Sequence, residues 1–304
     1  MQDDPAGHIP VLLAEVLEML QPQRPSVKVM VDCTAGLGGH SEALLAAAPQ
    51  AQLLAVDMDE SNLRRTKDRL APFGGRARFF QANFAQVPEV LQAAGVVQVD
   101  AVLADLGIAS TQLDDASRGL SFQVEGPLDM RMDRGSEITA ATLVNSLGEA
   151  ELANLIYRFG EERFSRRIAR AIVAARKAHT IDSTLELAGI VMSAIPGGAR
   201  QARIGVHPAT RTFQALRIAV NREMENLQSL LDTLPKILTV GGRAAVISFH
   251  SLEDRPVKQS FAAWASGGKA RLLQKKPIVP GEQEMQNNPR SRSAKLRGIE
   301  KTWE

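Results

Sequence analysis

The stretch VDCTAGLGGHSEALL, residues 31–45, ends an apolar run, places Gly36, Gly38 and Gly39 within four positions, and opens a helical pattern at once. Glycine weakens both strands and helices. Three so close together require a turn that only glycine makes, or a neighbour lying against the backbone. A strand, a glycine turn and a helix in that order place a ligand at the carboxyl end of a parallel sheet.

The flanking sequence supports such a sheet. VMVDC (29–33), LLAVD (53–57), ARFFQANF (77–84) and VDAVLADLG (99–107) read as strands, and single helical patterns separate them. ESNLRRTKDRLAPF is one such helix, ended by Pro72 and Gly74-Gly75. Alternating strands and helices imply a doubly wound α/β sheet. The alternation breaks after residue 107. Residues 108–135 are rich in Asp, Gly and Ser, and residues 138–195 are helical without strands. The sheet resumes at GGRAAVISFH (241–250), after a long helix TRTFQALRIAVNREMENLQSLLDTL. We therefore expect a helical insertion, residues 112–208, within a sheet domain made of 1–111 and 209–304. Residues 266–293 read as a polar, basic stretch, mobile at its centre, and AKLRGIEKTW as a returning edge strand.

Bulk properties exclude several classes. The 304 residues are 44% hydrophobic and 23% charged, with one cysteine, Cys33, so no disulfide forms within the chain. No Cys/His spacing suits zinc, no metal is expected, and no apolar run reaches membrane-span length. The opening MQDDPAGHIP lacks the apolar centre of a signal peptide, so a cytoplasmic protein is expected. Net charge is +2, but residues 1–100 carry −4, 101–150 carry −5 and 151–304 carry +11. The basic second half points to a polyanion, or to a solvated surface rich in arginine.

Four strand ends define what the sheet binds. Gly36-Leu37-Gly38-Gly39-His40-Ser41 lacks the third glycine of a dinucleotide fingerprint, and no Lys-Ser/Thr follows as in a phosphate-binding loop. Asp57 ends the second strand, where a carboxylate accepts from both ribose hydroxyls of an adenosine; alternatively Asp57 or Asp59 caps the next helix. Asn83-Phe84 and Asp105 end the third and fourth strands. An adenosyl pocket without a pyrophosphate site is the layout of S-adenosylmethionine-dependent methyltransferases.

Longer blocks narrow this further. HIPVLLAEVLEML, GLGGHS, AVDMDE, DLGIASTQLDDASRGLSF, GPLDMRMD, GEERFSRRIARAI, HPATRTFQALRIAVNRE, GGRAAVISFHSLEDRPVK and NPRSRSAKLR follow one another along nearly the whole chain. Together they resemble the bacterial ribosomal RNA small subunit methyltransferase H family. The resemblance implies a Rossmann-like class I methyltransferase fold with S-adenosylmethionine as cofactor. It also implies a substrate: the N4 amine of a cytosine in the decoding region of 16S ribosomal RNA, free or within the small ribosomal subunit. Carried over residue by residue, it implies cofactor contacts from Gly38, Gly39, His40, Asp57, Phe84, Asp105 and Gln112. Oligomeric state is left open.

Catalytic and RNA-binding candidates follow from position. The place after strand four reads Asp105-Leu106-Gly107-Ile108, without the Pro-Pro-aromatic run common in amino-methyltransferases. Asp105 is the acceptor available to an amine there, and Phe122 or Phe249 are candidates to stack on the base. His250 follows the last strand and either orients the base and takes a proton or holds Glu253 or Asp254. Arg163, Arg166, Arg167 and Arg170, at i, i+3, i+4 and i+7, form one helix face suited to RNA phosphate. Arg211 and Arg217 either join them or pair with the acidic loop 114–133. Arg290, Arg292, Lys295 and Arg297 add further positive charge.

Overall fold

The computed structural model describes residues 9–198 and 207–303, so residues 1–8 of the opening stretch, with His8, and residues 199–206 of the insertion lie outside the described residues. The chain divides into two compact units, one of residues up to Gly107 together with Met224 onward, the other Ile108–Glu223.

The first unit carries seven strands: β1 (Val29–Asp32), β2 (Gln52–Asp57), β3 (Ala77–Gln81), β4 (Val99–Asp105), β5 (Leu238–Ser248), β6 (Ala270–Leu272) and β7 (Lys295–Lys301). They lie in the order β3-β2-β1-β4-β5-β7-β6. β1 to β5 are parallel, while β7 runs antiparallel to both its neighbours. This is the expected Rossmann-like α/β sheet. Its chain order reverses beside β1, so the crevice for a ligand opens at the carboxyl ends of β1 and β4.

Period-two alternation decides which face each strand residue covers. Met30, Leu53, Ala55, Leu103 and Ile247 pack on one face with Val16, Leu20 and Leu44. Val31, Leu54, Val56, Val102 and Val246 pack on the other with Leu230, Leu234 and Phe261. Both faces are buried, which is why these strands read as continuous apolar runs.

Three expectations are corrected here. β7 is not the edge strand, because Ala270–Leu272 adds β6 outside it. The polar stretch 266–293 holds that strand, the helix Glu282–Asn287 and a 3₁₀ turn Pro289–Ser293. It is tied down where Leu12 N–H donates to Glu284 Oε1 at 2.7 Å. The single long helix after residue 210 is two, Thr210–Asn221 and Glu223–Ile237, broken where Arg222 takes a left-handed conformation with φ of 50°.

The second unit is helical, with Ala140–Ser146, Glu149–Gly160, Ser165–Ala175, Thr184–Ala194 and Thr210–Asn221 as its longer elements. Its core is its own: Leu152, Ile156, Ile168, Ile172, Leu187, Val191, Phe213 and Leu216. The unit therefore starts earlier and ends later than the expected 112–208, because the helix Thr210–Asn221 packs into this core rather than onto the sheet. At one contact Gly160 is required: a Cβ there would lie 2.5 Å from the Arg211 carbonyl oxygen. Among the described residues no helix is long and apolar enough to cross a membrane.

Candidate active site

The glycine turn between β1 and the helix Gly39–Ala47 has both features that three glycines suggest. Gly36 and Gly38 adopt φ of 54° and 82°, and a Cβ on Gly39 would collide with the Pro10 ring. The loop is pinned from the side by the helix Glu60–Leu70. Thr66 Oγ1 donates to Gly36 O at 2.8 Å, and Arg69 Nη1 to Leu37 O at 3.2 Å. Gly38 lies so close to that helix that its Cβ would come 3.3 Å from Thr66 Cα.

Asp57, at the end of β2, faces this loop. Its Oδ2 accepts from Gly36 N–H and its Oδ1 from Asp59 N–H, both at 2.8 Å. Asp59 is the residue that caps the helix, accepting from Ser61 N–H at 2.9 Å. The capping alternative thus falls to Asp59 and leaves Asp57 to the pocket. Burial pushes the Asp57 carboxyl up to about 6, against the lowering effect of the two backbone donors. Phe84 is half-buried and opens a 3₁₀ turn after β3, where Asn83 accepts from Ala85 N–H. The third strand thus stops at Gln81, three residues before its expected end.

Asp105 ends β4 and meets β1's loop. Its N–H donates to Thr34 Oγ1 at 2.7 Å, and its Oδ1 accepts from Gly107 N–H at 3.3 Å. Its Oδ2 lies 3.8 Å from His40 Nδ1. The other ring nitrogen of His40 sits 2.9 Å from the Val11 carbonyl oxygen. A carbonyl only accepts, so Nε2 carries the hydrogen and Nδ1 is the atom turned to Asp105. Burial pushes Asp105 up to about 6, with the nearby His40 pulling down and Asp32 and Glu253 pushing up. Asp105 nonetheless keeps 19% of its side chain exposed, so it is reachable.

Asp32 also lies at a strand end, that of β1, where the sequence reading passed over it. It is buried, accepts from Ser41 Oγ at 2.6 Å and from Thr34 N–H at 3.2 Å, and its carboxyl is raised by burial. Within the expected strand 29–33 it gave one usable signal: a single acid in an apolar run just before the glycine loop.

Phe249 is the aromatic at this strand edge; a Cβ on Gly107 would lie 2.8 Å from its ring. Phe122, the other stacking candidate, belongs to the second unit's core, stacked on His207 at 4.7 Å and edge-on to Phe213 at 4.9 Å. His250 caps the helix Ser251–Ser266, its Nδ1 accepting from Glu253 N–H at 3.3 Å while Nε2 lies 3.1 Å from Glu253 Oε1. Glu253 in turn accepts from Phe249 N–H at 2.7 Å. The structural alternative for His250 is therefore the one observed, with Glu253 as partner. Asp254 is held instead by Arg297, at 2.7 and 3.1 Å, which takes Arg297 from the RNA candidates into an ion pair.

The remaining candidates lie in the second unit. Gln112 is buried and its Oε1 accepts from Ala109 N–H at 3.2 Å. Arg166, Arg167 and Arg170 are exposed on the helix Ser165–Ala175, and Arg170 makes a loose 3.5 Å pair with Glu149. Arg163 is not on that helix: the preceding one ends at Gly160, and Arg163 sits in the turn with its guanidinium over the Phe164 ring. Arg211 is exposed. Arg217 is gripped by Glu223 through two 2.8 Å hydrogen bonds rather than by the acidic loop.

The strand-end residues suit S-adenosylmethionine by donor chemistry. Asp57 and Asp105 are acceptors for hydroxyl and ammonium groups, Phe84 offers a ring face, and Gly36, Gly38 and Gly39 carry no side chain that would hold a ligand away.

The family model described as the MraW methylase family matches residues 5–302. "Ribosomal RNA small subunit methyltransferase H" of Syntrophobacter fumaroxidans is 49% identical over 99% of this chain and 98% of its own. The protein of that name from Geobacter sp. (strain M21) is 48% identical over 97% and 98%. Among solved structures, an rRNA methylase from Streptococcus thermophilus superposes with a TM-score of 0.44 at 11% identity, covering 95% of this chain and 93% of that one.

Proposed function

The chain belongs to the MraW methylase family, and from that premise we propose that it transfers a methyl group from S-adenosylmethionine to the N4 amine of a cytosine in the decoding region of 16S ribosomal RNA. The names of its relatives support small-subunit ribosomal RNA as the substrate class. The observation that carries the N4 reading is Asp105: a reachable carboxylate at the β4 end, set beside a histidine whose orientation is fixed by its other nitrogen.

Gly38, Gly39, His40, Asp57, Phe84 and Asp105 would hold the cofactor, with Gln112 joining them through the family motif. When bound, S-adenosylmethionine supplies an electrophilic methyl on a sulfonium. The rest falls to the chain. A cytosine amine is a weak nucleophile because its lone pair is delocalised into the ring. Asp105 accepts from an N4–H bond, which favours the pyramidal nitrogen that can attack and compensates its developing charge. Transfer leaves one proton too many on N4, and Asp105 takes it. Asp105 is held by its own N–H donating to Thr34 Oγ1 and by Gly107 N–H donating to its Oδ1, while His40, fixed by its Nε2–H bond to Val11 O, lies beside Oδ2. Holding the acceptor and methyl donor in line removes much of the entropic barrier. Phe249, against Gly107, is the ring on which the extruded base stacks.

The exposed arginines Arg163, Arg166, Arg167, Arg170 and Arg211 serve the RNA backbone in this reading, and Arg217 braces its own helix. The test is methyl transfer from labelled S-adenosylmethionine to assembled small subunits, naked small-subunit rRNA and DNA, with nucleosides identified by mass spectrometry. N4-methylcytidine from one of the RNA samples is the expected product. A different methylated nucleoside, or equal transfer to DNA, would overturn the proposal.

A further inference from the structure

The second unit contains a cavity of about 320 Å³ beside the turn that joins the helices Glu149–Gly160 and Ser165–Ala175. Its size falls at the lower end of the ~300–1,000 Å³ range of small-molecule sites. Glu162 lines it and is only 5% exposed. Its Oε1 accepts from Phe164 N–H at 2.8 Å, but its Oε2 has no hydrogen-bond partner among the described residues. A carboxylate oxygen that lines a cavity and has no partner in the protein is a ready acceptor for a ligand's N–H.

The other walls have complementary chemistry. Arg163 and Arg211 bring two guanidinium groups to the same cavity. The Arg163 guanidinium lies 4.7 Å from the centroid of the Phe164 ring, and Arg211 Nη1 donates to Glu161 O at 3.1 Å, so both are oriented. His207 is held by stacking on Phe122 and by accepting from Ala209 N–H through Nδ1 at 3.1 Å. Its Nε2 therefore carries the hydrogen of the neutral ring and is a donor. Ile195 supplies an apolar wall.

An acceptor, a donor, planar groups to stack on and two arginines match the parts of a single nucleotide. We propose that this cavity is a reading site for one nucleotide of the RNA, whose base carries an exocyclic amino group. The amino group donates to Glu162, the base stacks against the Arg163–Phe164 pair, and Arg163 and Arg211 bind the phosphate. Glu162 sets the base preference, since a carboxylate accepts from an amino group and repels the carbonyl oxygen that uracil presents instead. Arg166, Arg167 and Arg170 continue the positive surface along the helix that starts beside the cavity. The site rests on the RNA reading above and deepens it: it selects a neighbour of the methylated base.

The test is nuclear magnetic resonance titration of the full chain with cytidine, adenosine, guanosine and uridine monophosphates and with inorganic phosphate. At least one amino-bearing nucleotide is expected to bind about tenfold more tightly than uridine monophosphate, the discrimination of one well-formed base contact. Glu162→Gln is expected to erase that preference, and Arg211→Ala, at an exposed position, to weaken every nucleotide several-fold. Thermal melting checks that both variants fold. If Glu162→Gln does not fold, Arg211→Ala alone decides. Equal binding of all four nucleotides, binding of phosphate alone with the same affinity, or nucleotide affinities unmoved by the variants would overturn the site. Methyl transfer separates the two proposals. Wild-type protein that methylates RNA while its nucleotide binding ignores Glu162 and Arg211 loses the cavity and keeps the function. Glu162-dependent binding without methyl transfer to any RNA keeps the cavity and loses the function.

Discussion

His40 faces Asp105 with the one ring nitrogen that its bond to Val11 O leaves available, 3.8 Å from the carboxylate oxygen. The two residues come from different elements, the glycine turn after β1 and the end of β4, and only the parallel pairing of those strands brings them together.

Asp105→Asn is expected to lower kcat by about 10²–10³-fold, within the usual range for a positioned proton acceptor, and to weaken cofactor binding by a smaller factor, since it also contacts the cofactor. The wild-type carboxyl is pushed up to about 6. Its active form is ionised, so activity rises with pH through that value and levels above it. A kcat–pH profile checks this: the limb near pH 6 disappears in the variant. An unchanged profile, or a loss confined to cofactor affinity, would move Asp105 out of the chemistry.

Asp57 gives a pH dependence of stability rather than of rate. Its folded-state pKa of about 6 lies above the ordinary 3.8, so the native state holds the proton more tightly than the unfolded chain. Ionising it therefore costs stability, a penalty absent below about pH 4, growing through pH 4–6 and complete above 6. The size is about 3 kcal/mol. Denaturant unfolding of wild type and Asp57→Asn at pH 4 and pH 7 measures it as a difference of slopes. Wild type should lose about that much relative to the variant, whereas parallel curves would contradict the buried charge.

Gly38→Ala combines a left-handed φ of 82° with close contact to Thr66. The backbone penalty alone is about 1–2 kcal/mol. Because Thr66 belongs to the helix that also pins Gly36, relief of the strain displaces the turn facing Asp57. Cofactor affinity measured by calorimetry should fall more than the melting temperature suggests. Unaltered affinity would mean that the turn does not contact the cofactor.

How much of this was legible in the sequence depends on the kind of contact. The sheet was, since runs buried on two faces such as Leu53–Val56 carry their own signal, and the glycine turn declared itself through Gly36 and Gly38. Position along the chain sufficed to place Asp57 and Asp105 at strand ends. The partner of His40 was not legible, because Val11 lies 29 positions away and contributes a carbonyl that any residue type provides. Nor was the fate of Arg217, since a guanidinium six positions before Glu223 looks the same whether it is solvated or paired. The break at Arg222 escaped because no glycine or proline marks it; tertiary packing imposes the left-handed turn.

The arginines fall into two groups that a single RNA-binding assay distinguishes. Arg166 and Arg167 are exposed and touch nothing that the fold requires, so replacing both with alanine should leave stability within about 0.5 kcal/mol. If each contacts a phosphate, the slope of log affinity against log salt should fall by roughly 1.5–2. Arg217→Ala is expected to behave oppositely. It leaves Glu223, 13% exposed, without the two hydrogen bonds it now receives from Arg217, and costs about 2 kcal/mol of stability with an unchanged salt slope. Filter binding of small-subunit rRNA across a salt series, beside denaturant unfolding, reads both quantities. A double variant at Arg166 and Arg167 that kept the wild-type slope would remove this helix from the RNA surface.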